Sequence, residues 1–181
     1  MNLLLDTLAL ITVLFINPLL IIAGFILILK KKSKKLDPVA VHEAGHAVVT
    51  QALGKEFHCI RVHHKDALGE VVGMPLVNPS LDDYKDHIRI YLAGTIACEL
   101  FIASRWNRFP DDGFHDNLQI GHILRDNPEL LVGTSEEKFL YELQYETRQI
   151  LLKNANKVKA VVELLETKNI LSNDEVQEIS V

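Results

Sequence analysis

His42 and His46 stand four residues apart in "VAVHEAGHAVV", with Glu43 directly after the first. In an α-helix, residues i and i+4 are rotated by only about 40°, so both imidazoles leave one face a turn apart and can reach one metal ion. Glu43, about 100° from His42, is badly placed to ligate with them but well placed to take a proton from water at that ion. Two imidazoles and a free carboxylate on one turn are the parts of a hydrolytic zinc site. A core helix without a metal would instead have to bury three polar groups that each need a partner.

The element that must carry these residues begins at Asp37, whose carboxylate can cap free N–H groups, with Pro38 in the first turn and Gly54 as a stop. Within it Gly45 costs about 1 kcal/mol relative to alanine in a helix interior, which points to a close neighbour. Two β-favouring runs follow, "HCIRVHH" (58–64) and "GEVVGMPLV" (69–77), joined by "KDALG" as a small hairpin. Ser80 and Asp83 form a capping pattern for a second helix, "LDDYKDHIRIYLAGTIACELFIA", that ends near Ser104. "HDNLQIGHILRD" reads as a short helix that stops before Asn127-Pro128. Thr134 and Glu137 form another capping pattern, and the helical period runs from Phe139 to Leu165, kinked at "NANK". "ETKNILS" then leads to a last short helix, "NDEVQEI". The fold class is therefore mainly α with a small β-hairpin or sheet.

Ahead of these elements lies an apolar stretch from Leu3 to Leu29, interrupted only by Asp6, Asn17 and Pro18. It is long enough to cross a hydrocarbon core of about 30 Å, and "KKKSKK" follows it while no Lys or Arg precedes it, the reverse of a cleaved signal peptide. The expected organisation is a transmembrane anchor at 1–29, a basic linker at 30–36 and a soluble domain at 37–181. The lysines place that domain on the cytoplasmic side of a cell (inner) membrane in a single-pass, N-out arrangement.

The chain carries a formal charge of −5, and without the five lysines and Asp6 of its first 35 residues the remainder carries −9. An acidic domain without a basic stripe excludes phosphate-backbone binding, so no nucleic-acid partner is expected. Cys59 and Cys98 are 39 positions apart and form no CxxC pair, which argues against a disulfide framework or a cysteine metal site.

With "VHEAGHAVV", "HCIRVHHKDALGEVVGMP", "LAGTIACELF" and "LLETKNILSNDEVQEI" in this order, most of residues 38 to 180 resembles the peptidase domain of FtsH-type zinc metallopeptidases. The resemblance implies an HExxH zinc peptidase domain, with zinc held by His42, His46 and a later acidic ligand, and Glu43 as catalytic base. It also implies a protein or peptide substrate extended along the strand at Gly69 to Met74. In that family the third ligand is an Asp preceded by Asn and followed by Leu or Ile. Aligning Gly113 and Leu118 of "GFHDNLQ" places it on Asn117, a poor zinc donor. Asp116, one residue earlier, has the right chemistry and is the assigned ligand, with His115 and then Asp112 as alternatives. Glu99 is either a carboxylate that orients a ligand histidine or an exposed helix residue. His58, His63, His64, His87 and His122 are expected at the surface or at strand edges.

The family's full-length proteins place an ATPase between membrane and peptidase, and only Leu36 separates Lys35 from Asp37 here. The chain's Gly54-Lys55 pair lacks the upstream glycine and the following Ser or Thr of a P-loop. The expected activity is thus an ATP-independent, zinc-dependent metalloendopeptidase acting on unfolded or flexible proteins, with an unfoldase in trans and an oligomeric form both left open. Two rivals stand beside it. One is a membrane-tethered binding or adaptor protein with a relic zinc site, and the other is an intramembrane-type metalloprotease, for which the stretch Pro38 to Gly54 is too short a span.

Overall fold

The computed structural model divides the chain after Lys35 and describes residues 36–63, 68–73, 79–102 and 113–179. The expected anchor at 1–29, residues 30–35 of the basic linker, His64, Met74 and Asp112 lie outside the described residues. Among the described residues no helix is long and apolar enough to cross a membrane.

A central helix organises everything else. α1, Pro38–Ala52, opens as expected: the Asp37 side chain accepts from the Val39 N–H at 3.0 Å, and Pro38 occupies the first turn. Its residues from Val39 to Thr50 are buried except for His42, the pattern of a helix enclosed on all sides. α2, Leu81–Phe101, crosses it closely. A Cβ at Gly45 would come within 2.6 Å of the Ala93 carbonyl oxygen and 2.7 Å of the Ala97 Cβ, so glycine and two alanines set the approach. α2 starts at the Ser80–Asp83 capping box foreseen for it.

The described helices continue with α3 (Phe114–Asp126), α4 (Glu136–Lys153), α5 (Ala155–Lys168) and α6 (Asn173–Gln177), with a 3-10 turn at Pro128–Leu131. α4 and α5 divide the long helical period at Asn154, whose side-chain amide donates to the Ile150 carbonyl at 2.8 Å and ends the first of them. The cap of α4 is Ser135 rather than Thr134: its hydroxyl accepts from the Lys138 N–H, one residue later than the spacing suggested. Arg89 on α2 pairs with Glu146 on α4 at 2.7 Å, tying the two helices at the surface.

β1 (Cys59–His63) pairs antiparallel with β2 (Leu68–Val72), as the hairpin expectation requires. A third strand, β3 (Ile170–Ser172), joins the other side of β1, so "NILS" is strand rather than connector and the sheet order is β2-β1-β3. Asn169 ends α5 in the left-handed conformation at φ 62°, which turns the chain back onto β1. Leu171 then enters the core fully buried while Ile170 stays exposed, the alternation of a one-sided sheet. Fully buried Ile60, Ile88, Leu151, Val158, Val161, Leu165 and Leu171 join Val41, Val48 and Val49 of α1 in one core. The architecture is mainly helical with a small three-stranded antiparallel sheet.

Candidate metal centre

Three helices converge where α1 presents its histidines. His42 is the one partly open residue in the middle of α1, and His46 follows it a turn later, with ring centroids 4.6 Å apart and ring planes at 80°. α2 makes room for both rings through Gly94: a Cβ there would come within 2.5 Å of His42 Nε2 and 2.6 Å of His46 Nε2. α2 also fixes one ring. His46 Nδ1 donates to the Ile90 carbonyl at 2.6 Å, which sets the tautomer and leaves the Nε2 lone pair aimed into the site.

α3 brings the acid. Its N-cap, Gly113, is left-handed at φ 74°, and a Cβ on it would overlap the Thr95 hydroxyl of α2. This turn points the first turn of α3 at α1, so that Asp116 Oδ2 lies 3.1 Å from His42 Nε2 and 3.4 Å from His46 Nε2. One ligand atom from each of His42, His46 and Asp116 lies within 4.8 Å of the others, and the three could hold a metal ion. The assigned third ligand and the two histidines therefore come together. His115 and Asn117 are exposed on α3, outside this group.

Each group's protonation reflects its neighbours. Burial works against the imidazolium of His46, but the Asp116 carboxylate outweighs it, with help from Glu43 and the Ile90 carbonyl, and lifts its pKa to about 9. Burial alone would raise Asp116, yet His42 and His46 hold its carboxyl well below the usual carboxylate range. A proton and a metal compete for the same Nε2 lone pair, so acid displaces a metal from this site.

Glu43 is 5 % exposed and faces β2, where a Cβ at Gly69 would overlap its side chain. Burial pushes its pKa up to about 7, against the charge of His46 and with that of Asp116 and Glu70.

Of the two readings of Glu99 the structure agrees with the second: it is exposed and pairs with Arg148 of α4 at 2.6 Å. One expectation needs correction. His87 is not at the surface but 5 % exposed inside α2, and burial lowers its pKa. His58, His63 and His122 are exposed as expected. Sequence reasoning missed Gly94, Gly69 and the Ile90 carbonyl as site-forming groups. A mid-helix glycine beside small residues is a signal for the first, whereas a backbone carbonyl leaves none.

Gly113→Ala is expected to cost about 1–2 kcal/mol, because only glycine adopts the left-handed conformation without penalty. The new methyl would also push on Thr95 and move Asp116 off the histidines, so metal affinity should fall along with the denaturation midpoint. Unchanged affinity in a destabilised variant would show that α3 holds Asp116 by other means.

No protein-family model matches the chain, and no curated protein matches it.

Proposed function

We propose that the protein is a zinc-dependent metalloendopeptidase that cuts unfolded or flexible polypeptides. One observation carries this reading: Asp116 Oδ2 sits 3.1 and 3.4 Å from the Nε2 atoms of His42 and His46, beside the buried Glu43. His42 and Asp116 are within hydrogen-bond distance of each other, and ligand atoms on one tetrahedral zinc at about 2.0–2.1 Å stand about 3.3–3.4 Å apart, so small shifts from the present separations admit an ion between the three groups. Two imidazoles and one carboxylate are also a donor set of catalytic zinc, with a fourth position left for water or substrate.

When bound, zinc would lower the pKa of water to about 7 and polarise the scissile carbonyl. The protein's own groups then have distinct tasks. His42, His46 and Asp116 would hold the ion, and the Ile90 carbonyl keeps the His46 ring in the tautomer that can ligate it. Glu43 takes the proton of the attacking water and passes it to the leaving nitrogen; a base with a pKa of about 7 suits both transfers. The outer side of β2, the sheet edge over Glu43, suits a substrate strand bound by main-chain hydrogen bonds.

The resemblance to FtsH-type peptidases agrees with this assignment, and the apolar run at 1–29 with its lysines supports a membrane-anchored enzyme with its catalytic domain in the cytoplasm. Residues 36–181 carry no P-loop pattern, and opening a folded domain costs about 5–15 kcal/mol, so this domain acts on loose segments or with an unfoldase in trans.

The test is cleavage of a disordered protein by the full-length chain before chelation, after it, and after zinc is restored. Activity should vanish and return with zinc, with no need for ATP; activity indifferent to chelation would refute the reading. Gly69→Ala should abolish cleavage while zinc stays bound, because the three atoms nearest the added methyl all belong to Glu43. Full activity in that variant would separate β2 from the catalytic machinery.

A further inference from the structure

Peptide hydrolysis turns the scissile carbonyl oxygen into an oxyanion, and the groups described so far offer it little besides the metal. His42 and His46 would spend Nε2 on the ion, and Asp116 and Glu43 are carboxylates. Among the described residues several cations are engaged elsewhere: Lys55 with Asp83 and Asp86, Arg61 with Glu70, Arg89 with Asp86 and Glu146, and Arg148 with Glu99.

α2 carries one hydroxyl placed differently. Tyr91 follows Ile90, whose carbonyl holds His46, and precedes Gly94 and Thr95 by three and four residues. Residues at these spacings share a helical face. Gly94 backs both imidazoles and Thr95 meets Gly113 at the start of α3, so this face of α2 borders the centre on two sides. Tyr91 is half-buried, packed against the core, with its ring 6.4 Å from that of His87 one turn back. Its phenol is raised by burial and, next, by the Asp116 carboxylate, so it sits within the field of a ligand and remains a neutral donor.

We infer that Tyr91 is a further catalytic residue, whose O–H donates a hydrogen bond to the oxyanion formed from the scissile carbonyl. The inference rests on the peptidase reading above. As water oxygen bonds to the carbonyl carbon, its proton passes to Glu43 and the π electron pair moves onto the carbonyl oxygen. Tyr91 donates to that oxygen without losing its proton. The C–N bond then breaks, the nitrogen takes the proton from Glu43, and the carbonyl re-forms as the carboxyl product.

Tyr91→Phe in the full-length protein tests this, since it removes only the hydroxyl and keeps the ring against His87. Loss of one preorganised oxyanion donor lowers kcat by about 10²–10³-fold, and that is the result expected here, with KM and zinc content unchanged. A peptide phosphonate, whose anionic tetrahedral group resembles the reacting centre, should bind the variant more weakly by a comparable factor. Wild-type kcat in Tyr91→Phe overturns the inference. So does a fall in activity that tracks loss of zinc, or one that leaves phosphonate affinity unchanged, because each marks a packing role. Absence of zinc-dependent cleavage in the wild-type protein overturns the peptidase reading itself, and this inference with it.

Discussion

Glu43→Gln is expected to lower peptide hydrolysis by about 10²–10⁴-fold while the protein keeps its zinc, because an amide of the same shape cannot accept a proton from water. Glu43 stands outside the group of atoms that could hold the ion, and its side chain fills the space against Gly69, where glutamine fits equally well. Stability should move in the opposite direction to activity. Burial raises the folded-state pKa of Glu43 from an ordinary 4.5 to about 7. In the zinc-free protein its contribution to stability is therefore fully present below about 4.5, declines as pH rises, and is lost above about 7. Glutamine does not titrate, so zinc-free Glu43→Gln should unfold at a higher temperature than wild type above pH 7 and lose that advantage in acid. Thermal melts at several pH values check this, alongside assays of cleavage and zinc content. Substantial hydrolysis in the variant would remove Glu43 from the role of base.

The second large effect belongs to Asp116. Asp116→Ala takes away one of three protein donors and the carboxylate that draws positive charge to His42 and His46. Zinc affinity should fall by more than the about 10–100-fold that follows loss of a group merely hydrogen-bonded to a ligand. His115→Ala and Asn117→Ala, on the exposed side of α3, should bind zinc nearly as the wild type does. Titrations of the three variants decide the matter, and release of zinc by His115→Ala would reassign the third ligand.

The contrast between these residues shows what can be read without coordinates. His42, Glu43 and His46 are legible because a helix fixes their relative directions locally, and Asp37 and Pro38 mark where that helix starts. The caps at Ser80 and the hairpin of β1 and β2 are legible for the same reason. Asp116 is different. Its chemistry and its resemblance to a known pattern select it, but only the left-handed turn at Gly113 aims it at α1 rather than His115 or Asn117. The strand at Ile170–Ser172 spans three residues, too few for alternation to register, and it forms because Asn169 reverses the chain onto β1. Gly69 against Glu43, Gly94 against the imidazoles and the Ile90 carbonyl on His46 exist only once α1, α2 and the sheet are packed. Glu99, read as a candidate ligand partner, is drawn away by Arg148 on a helix that lies 49 positions further along the chain.

X-ray absorption at the zinc edge of the full-length, zinc-loaded protein tests the central assignment most directly. Zinc on His42, His46 and Asp116 predicts only nitrogen and oxygen neighbours at about 2.0–2.2 Å, with the multiple-scattering pattern of two imidazoles. The same spectrum from His46→Ala should lose that pattern or the metal altogether. Sulfur neighbours at about 2.3 Å, which would implicate Cys59 or Cys98, or an unchanged spectrum in His46→Ala, would contradict it.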